Sequence, residues 1–465
     1  MKARRQHANL LDQNRPPWAV IITLAWPTIA EQLLQVMVTF VDSAMVGSLG
    51  ASATASVSVP TSTIWLVNGW MNAFAIGYGV LMARSLGGGQ HERARTIVAQ
   101  SLITALPFSL VLTALFLQVA RILPPWIASD AAVIAQAQDY YHWIAIGYLP
   151  NTLMILISSH LRLSGDTKTP LFLNAMNNIL NIIFNTLFIF EGLTVGGITL
   201  PGLGLGVKGA AMATTLACTI TALSLLFIIF KGSGLISLSG YRSSGWEGSL
   251  HRAALRLAVP VALERTTLSL GQILYTKLIG TLGTTALAAH FLATTAESIT
   301  YLPSSGLSTA ATTLVAHSLG SGDKALAQRF GDTSLILGTL FMSAMGLVLY
   351  FFAHPLLGLF TADEAVITLG AKVLRIEAFA QPAFGLSMLT FGIFRGAGDT
   401  KSPFFISIAG MWLVRLPLAW ALLSYTTWGL LGVWVAMASD ITLRGIICLF
   451  AYRRSGWLER YTEQH

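Results

Sequence analysis

Long apolar stretches separated by short polar connections are the feature that most constrains this chain. Each stretch can cross a hydrocarbon core of ~30 Å as one helix of about 20 residues. Charged residues make up only 10% of the 465 residues, against roughly 25% in a soluble domain. A water-soluble globular protein and a disordered chain are therefore excluded, and the sequence predicts an all-α integral membrane protein. The twelve predicted spans cover residues 18–46, 54–83, 95–120, 133–160, 169–190, 204–230, 254–280, 286–316, 328–353, 366–394, 402–424 and 428–452.

The two halves of the chain are related by an internal repeat. Shifting the sequence by 233 residues aligns it with itself from Leu24 to Pro170 without a gap. Glu31 then meets Glu264, and the tetrapeptide Gly165–Lys168 meets the identical Gly398–Lys401. Six spans in each half mean that both halves start on the same side of the membrane. The sequence thus predicts twelve transmembrane helices in two parallel six-helix repeats, related by an axis along the membrane normal.

Basic residues set the expected orientation. Most of the 28 lysines and arginines lie in the two tails and in the even-numbered connections, so the positive-inside rule places both termini in the cytoplasm. The net charge of +8 then reflects topology, and we expect no nucleic-acid partner. The predicted segments are a cytoplasmic tail (1–17), an N-lobe with helices 1–6 (18–231), a cytoplasmic linker (232–252), a C-lobe with helices 7–12 (253–452) and a second cytoplasmic tail (453–465).

Carboxylates inside the predicted spans are the strongest candidates for a functional role. A charge near the bilayer centre costs ~2.5–3.5 kcal/mol on insertion scales, so it needs a partner or a function. Glu31 and Asp42 are eleven residues apart on helix 1, which places them on the same helix face, and Gln35 and Met45 extend that face. The candidates for binding a coupling cation are Asp42, Glu264, Glu297, Glu31 and Glu377.

Ion pairing is the alternative role for several of these carboxylates. Glu31 would pair with an arginine at the cytoplasmic rim, and Glu264 with Arg265 or a tail arginine. Glu377 would pair with a residue of another helix, because Arg375 is only two positions away and does not share its face.

Two further polar patterns occur within the spans. Asp440 and Arg444 on helix 12 are four residues apart in the favourable order, which predicts a structural ion pair. Four asparagines on helix 5 step by three and four residues and form one polar stripe. The stripe either binds neighbouring helices together or lines an N-lobe cavity beside Asp42. It consists of Asn174, Asn177, Asn181 and Asn185.

Several motifs on this repeated twelve-helix pattern resemble the multidrug and toxic compound extrusion (MATE) family over nearly the whole chain. The segments that carry the resemblance are Phe40–Ser43, Ser85–Gly87 with its mate Ser318–Gly320, Arg162 with Gly165–Thr167, Leu180–Asn181 with Asn185, and Arg395–Asp399.

The resemblance implies a V-shaped pair of lobes and a secondary active antiporter. It would export organic, cationic amphiphilic compounds such as drugs, dyes and toxins in exchange for H⁺ or Na⁺, by alternating access of the two lobes. The family's helix 1 aspartate falls on Asp42. The helix 5 asparagine and aspartate of some members fall on Asn181 and Asn185, where the second acid is replaced by an amide. Residues expected to contact substrate in the cavity are Asn181, Asn185, Gln35, Met45, Trp65 and Tyr275.

The coupling ion is less well defined by the resemblance. Glu264 lies about one helical turn before the expected position of the helix 7 glutamate of other members. Only Glu377 could serve as the helix 10 acid of sodium-coupled members. These departures favour H⁺ over Na⁺.

Two other functions are compatible with parts of this pattern. A flippase for lipid-linked precursors, or a metabolite exporter of the same superfamily, would share the two lobes but should line its cavity with cations. A membrane-embedded enzyme would need a metal or nucleophile cluster, whereas the nine histidines are dispersed. We therefore expect a monomeric, non-enzymatic transporter in the cell inner (plasma) membrane. It would have no metal or cofactor beyond the coupling H⁺ or Na⁺, and small organic cations and the lipid bilayer as its only partners.

Overall fold

The computed structural model describes residues 15–127, 130–195, 198–232, 234–241, 245–454 and 456–459. Outside this described part of the chain lie the predicted tails up to residue 14 and from residue 460, and linker residues 233 and 242–244.

A helix occupies every predicted span. Those of the first half are α1 (Pro17–Gly47), α2 (Ala51–Gly87), α3 (His91–Ile127), α4 (Ala131–Ile146), α5 (Tyr148–Leu163), α6 (Lys168–Ile189) and α7 (Gly206–Lys231). Those of the second half are α8 (Gly248–Gly280), α9 (Thr284–Gly320), α10 (Lys324–Gly358), α11 (Glu364–Gly396), α12 (Lys401–Ile408), a π-helical segment (Ala409–Arg415), α13 (Leu416–Tyr425), α14 (Leu430–Arg453) and the short α15 (Gly456–Glu459).

Length and composition support membrane insertion of most of these helices. Within the described residues, eight helices are long and apolar enough to cross a membrane, and nine when α4 and α5 are counted as one span bent by 48°. The bend follows from Pro150 in the first turn of α5, because proline cannot donate the backbone hydrogen bond that would continue α4. The three other helices of similar length, α8, α9 and α11, contain the predicted carboxylates Glu264, Glu297 and Glu377.

The first half contains an insertion that the second half lacks. Its strands β1 (Gly192–Val195) and β2 (Ile198–Pro201) pair as an antiparallel hairpin, with Gly192 opposite Pro201. The sequence predicts a glycine-rich insertion here but not its strands. The hairpin is the only sheet in the described residues, so the all-α prediction holds for the body of the protein.

The chain forms two compact units. One contains α1 from Ala30 onward and continues to Ser85 and from Gln90 to Ala254; the other contains α1 up to Ile29, the turn Leu86–Gly89 and the chain from Leu255. The first turns of α1 belong to the second unit because their apolar side chains join its core. Val20, Ile21 and Leu24 pack there with Leu307 of α9. The compact units change at Ala254–Leu255, just after the predicted linker, and they also divide α1 between Ile29 and Ala30.

Candidate functional site

Glu31 of α1 forms an ion pair inside the first unit. Arg162 near the end of α5 donates from Nη1 to Glu31 Oε1 at 2.8 Å and to Oε2 at 3.0 Å. Asn174 of α6 donates a further hydrogen bond to Oε1 at 2.8 Å. Both side chains of the ion pair are largely buried, with 15% and 12% exposure. The carboxylate is therefore fully engaged, and it ties α1 to α5 and α6.

Glu264 of α8 forms the same arrangement in the second unit. Arg395 at the end of α11 donates to Glu264 Oε2 at 3.0 Å, and Ser407 of α12 donates to Oε1 at 3.0 Å. Each of these three residues lies 233 positions after its counterpart in the first unit. The partner of Glu264 is thus Arg395 and not its neighbour Arg265, and the internal repeat preserves a three-residue contact as well as a sequence.

The repeated tetrapeptide has a structural cause close to these ion pairs. Asp166 accepts hydrogen bonds from the backbone and hydroxyl of Thr169, and Asp399 accepts the same two bonds from Ser402. The preceding Gly165 adopts a φ of 92°, a left-handed conformation that only glycine takes up readily. The motif therefore fixes the turn that follows Arg162 in one half and Arg395 in the other.

Asp42 of α1 lies among amide side chains. Asn185 of α6 donates to Asp42 Oδ1 at 2.7 Å. Asn181 lies one turn earlier, with its Nδ2 2.8 Å from the same oxygen in the amide orientation that gives the aspartate a second donor. Asn181 and Asn185 are buried, with 4% and 2% exposure. Within the described residues, Asp42 takes part in no ion pair, so nothing there balances its charge.

The asparagine stripe of α6 serves two purposes in the structure. Asn174 contacts Glu31, and Asn177 accepts a hydrogen bond of 3.4 Å from Thr221 of α7. Both therefore join helices. Asn181 and Asn185 contact Asp42, so the other end of the stripe is part of the aspartate's surroundings. The stripe thus joins helices at one end and contacts Asp42 at the other.

Asp440 of α14 binds two arginines in the second unit. Arg444, one turn later, donates to both carboxylate oxygens, with Nε at 2.8 Å from Oδ1. Arg415, at the end of the π-helical segment, donates from Nε to Oδ2 at 2.9 Å. The carboxylate of Asp440 is fully buried. The structure thus contains the predicted pair and adds a second arginine to it.

Glu297 and Glu377 are buried beside this group. Glu377 of α11 is completely buried, and neither of its carboxylate oxygens has a hydrogen-bond partner within the described residues. It lies within electrostatic reach of Glu297 on α9 and of Arg415, Asp440 and Arg444. Gln381, one turn after Glu377, accepts a hydrogen bond of 3.3 Å from Thr300 of α9. The result is a buried cluster of three carboxylates and two guanidinium groups, which belong to Glu297, Glu377, Asp440, Arg415 and Arg444.

Comparisons with known proteins agree with this repeated geometry. A sequence model of the MatE family matches residues 27–187 and 260–421, one match in each repeat. The chain belongs to the MATE family. MATE proteins are membrane transporters, so this is a multi-pass membrane protein of that class.

Similar proteins cover nearly the full length of this MATE chain. A probable multidrug resistance protein NorM of Thermotoga maritima is 29% identical over 440 residues, covering 95% of this chain and 93% of the relative. The multidrug resistance protein MdtK of Yersinia pseudotuberculosis is 25% identical over 456 residues and 95% of each chain.

Solved structures show the same fold. An outward-facing multidrug resistance MATE family transporter of the MOP superfamily matches with a TM-score of 0.89 at 21% identity, covering 98% of each chain. A MOP superfamily transporter from Pyrococcus furiosus, described as having a binding pocket of reverse polarity, matches with a TM-score of 0.88 at 21% identity. It covers 97% of this chain and 98% of its own.

The remaining predicted cavity residues of this MATE protein occupy different surroundings. Gln35 and Trp65 are exposed, Trp65 to 69%. Met45 is partly buried and packs on the cluster formed by Val46 and its neighbours. Tyr275, the repeat mate of Asp42, does not lie on a cavity surface. It is completely buried, and its hydroxyl donates to the backbone oxygen of Val433 at 2.7 Å.

The sequence did not identify Arg162 and Arg395 as the partners of Glu31 and Glu264 in this MATE chain. The positive-inside rule explains Arg162 and Arg395 as basic residues of cytoplasmic connections. It therefore gave no reason to expect them to form ion pairs inside the units. A signal was available: Glu31–Arg162 and Glu264–Arg395 share a separation of 131 residues. Arg415 carried no such signal, because its contact with Asp440 depends on the π-helical segment that ends with it.

Proposed function

We propose that this chain is a secondary active antiporter that exports organic, cationic amphiphilic compounds in exchange for H⁺, by alternating access. Support comes from its membership of the MATE family and from relatives named as multidrug resistance proteins. Basic residues in the tails and even-numbered connections favour cytoplasmic termini in the cell inner membrane.

The observation that carries the proposal is an unbalanced carboxylate in each unit. In the part of the chain that the structure describes, the hydrogen-bond partners of Asp42 are amides only. In the second unit, the buried cluster contains three carboxylates and two guanidinium groups. Its net charge is therefore −1 when His290, which lies beside Tyr275 and Trp434, is neutral. Burying an uncompensated charge is costly. Each cluster becomes neutral when it takes up one proton, and both can therefore alternate between a loaded and an unloaded state.

Asp42 is the proposed site of exchange between proton and substrate. When ionised, its carboxylate attracts an organic cation, whose apolar body can pack on side chains such as Met45 and Trp65. Aromatic and methionine side chains adapt to varied ligands and interact favourably with cations. Protonation on the outer side removes the attraction and releases the cation. Na⁺ can replace the proton in this scheme, because it carries the same charge.

Glu31 and Glu264 have a structural role in this proposal. Each already accepts an arginine and a second donor, so neither has an unbalanced charge for a coupling ion. The proposed coupling residues are thus Asp42, Glu297 and Glu377.

Transport of a cationic dye into reconstituted vesicles tests the proposal. A proton gradient and then a sodium gradient are imposed on the wild type and on Asp42→Asn. The matched control is Glu92→Gln, which changes a carboxylate with 77% exposure. We expect proton-driven transport in the wild type and the control, and none in Asp42→Asn. Transport driven by the sodium gradient alone would show that the coupling ion is Na⁺ and not H⁺. If no gradient moves the dye, a lipid-linked precursor or metabolite becomes the better substrate.

A further inference from the structure

An apolar groove whose lining includes one cation, Arg375, lies on the surface of the second unit. It has a volume of about 660 Å³ and runs between α10, α11 and α14. Along α14 its lining residues recur at positions three and four apart, which places them on one face of that helix. They are Val435, Ala438, Ser439, Thr442, Leu443 and Ile446.

Arg375 of α11 lies at one end of this groove and is exposed. Its Nε donates to the backbone oxygen of Tyr350 at 3.3 Å, and its guanidinium lies 6.0 Å from the centre of the Tyr350 ring. No carboxylate lies within ion-pair distance of Arg375 in the part of the chain that the structure describes. The exposed guanidinium of Arg375 therefore has no acidic partner among the described residues.

Lys372 places a second positive charge beside Arg375. It is exposed and one helical turn earlier on the same face of α11. The nearest acid before them on this helix, Glu364, lies eleven residues before Arg375, or about 16 Å, and is paired with His354. Two adjacent cations without an acid between them attract an anion.

The depth of these cations matches a lipid phosphate. α11 has 33 residues and is about 50 Å long, so about 10 Å at each end extends beyond a hydrocarbon core of ~30 Å. Arg375 is then about 6 Å inside the core. Side chains on a helix tilt toward its N-terminus, so the guanidinium of Arg375 lies nearer to the Glu364 end than its Cα atom does. From this depth the long side chain of an arginine can bring its charge to the membrane interface.

The length of the groove matches one acyl chain. From Val435 to Ile446 it follows α14 for eleven residues, or about 16 Å, which is about half of the hydrocarbon core. Phe379, which is 77% exposed, lines the same groove. Apart from Arg375, Ser439 and Thr442, the lining is thus apolar over about the depth of one membrane leaflet, and Arg375 is the charged residue in it.

From this arrangement we infer that the groove binds one phospholipid of the leaflet at the Glu364 end of α11. Its phosphate lies on Arg375 and Lys372, and one acyl chain follows α14. A guanidinium can hold two phosphate oxygens at once, which favours a lipid whose headgroup adds no competing positive charge. The inference is independent of the transported substrate.

Native mass spectrometry of the purified protein with added phosphatidylglycerol tests the inference. We expect Arg375→Gln to weaken binding about tenfold, the loss of one charge-assisted hydrogen bond. The matched control is Lys277→Gln, an exposed cation near the end of α8, which should bind as the wild type does. Ala438→Trp blocks the groove, leaves both cations in place and should also weaken binding.

Three results would overturn the inference. Equal binding of phosphatidylglycerol by Arg375→Gln and the wild type would show that Arg375 does not contact the phosphate. Equal loss in Lys277→Gln would indicate a general electrostatic effect. Full displacement by inorganic phosphate, with no effect of Ala438→Trp, would identify a free anion in place of a lipid. An unchanged unfolding temperature in Arg375→Gln separates loss of binding from loss of folding.

Discussion

Arg162 donates to both carboxylate oxygens of Glu31 across 131 residues of chain. The contact joins α1 to α5 within one unit, and the repeat reproduces it with Glu264 and Arg395. A contact preserved in both halves while the surrounding sequence has diverged indicates a role in the stability of each unit.

Arg162→Gln should lower the free energy of unfolding by about 3 kcal/mol, because it leaves Glu31 buried without its cation. The double variant Glu31→Gln with Arg162→Gln should lie closer to the wild type, since neither charge then remains. Titration with denaturant in detergent micelles measures both. The control is Glu92→Gln, which breaks an exposed pair with Arg95 and should have no measurable effect. Equal losses of unfolding free energy in Arg162→Gln and Glu92→Gln would contradict a structural role for the pair of Glu31 and Arg162.

Gly410 permits the close approach of α14 to the π-helical segment. A Cβ atom at this position would collide with Asp440 Oδ1 and lie 2.6 Å from Arg444 Nε. Gly410→Ala should therefore destabilise the protein by about 1–3 kcal/mol, as overpacking of a core does. The control is Gly280→Ala at the end of α8, where a Cβ meets no atom within 4 Å. Comparison of the two unfolding temperatures tests the prediction, and a Gly410→Ala protein as stable as Gly280→Ala would contradict it.

The sequence predicted the parts of this structure that depend on periodicity. Twelve spans, the parallel repeat and the equivalence of Glu31 and Glu264 follow from apolar length and from a fixed offset. The environment of a side chain does not follow from the offset. Asp42 and Tyr275 are repeat mates, yet Asp42 lies among amides and Tyr275 in a core.

Partners in the second unit were hidden for a different reason. Arg415 reaches Asp440 from the end of a π-helical segment. A π-helical turn contains more residues than an α-helical turn, so a pattern based on 3.6 residues per turn does not predict where the Arg415 side chain lies. The predicted pair of Asp440 and Arg444 lies on one helix, and for that reason it was visible in the sequence.

His251, which precedes the predicted seventh span, should make stability depend on pH. Its Nδ1 lies 2.7 Å from the hydroxyl of Tyr78, and its ring stacks on Trp246 at 3.8 Å. Burial lowers the pKa of His251 below its ordinary value, and the charge of Glu247 opposes this only in part. Below about pH 6.5 the unfolded chain then binds the proton more readily than the folded one, so stability falls as pH falls.

Unfolding temperatures at pH 7.5 and pH 5.5 test this pH dependence. His251→Gln should reduce the difference between the two temperatures, and His142→Gln, which changes an exposed histidine, should leave it as in the wild type. An unchanged difference in His251→Gln would assign the dependence to another group.

Glu377→Gln should separate stability from transport. The carboxyl group of Glu377 is completely buried and has no donor within the described residues, so replacing it by an uncharged amide of the same size should leave the free energy of unfolding within about 1 kcal/mol of the wild type. Gradient-driven dye transport should be lost, because the cluster with Glu297 and Arg415 can no longer gain and lose a charge. The comparison is Glu264→Gln, which leaves Arg395 without its carboxylate and should lower stability. A Glu377→Gln protein that still couples transport to the gradient would leave Asp42 as the coupling residue, and one as unstable as Glu264→Gln would give Glu377 a structural role.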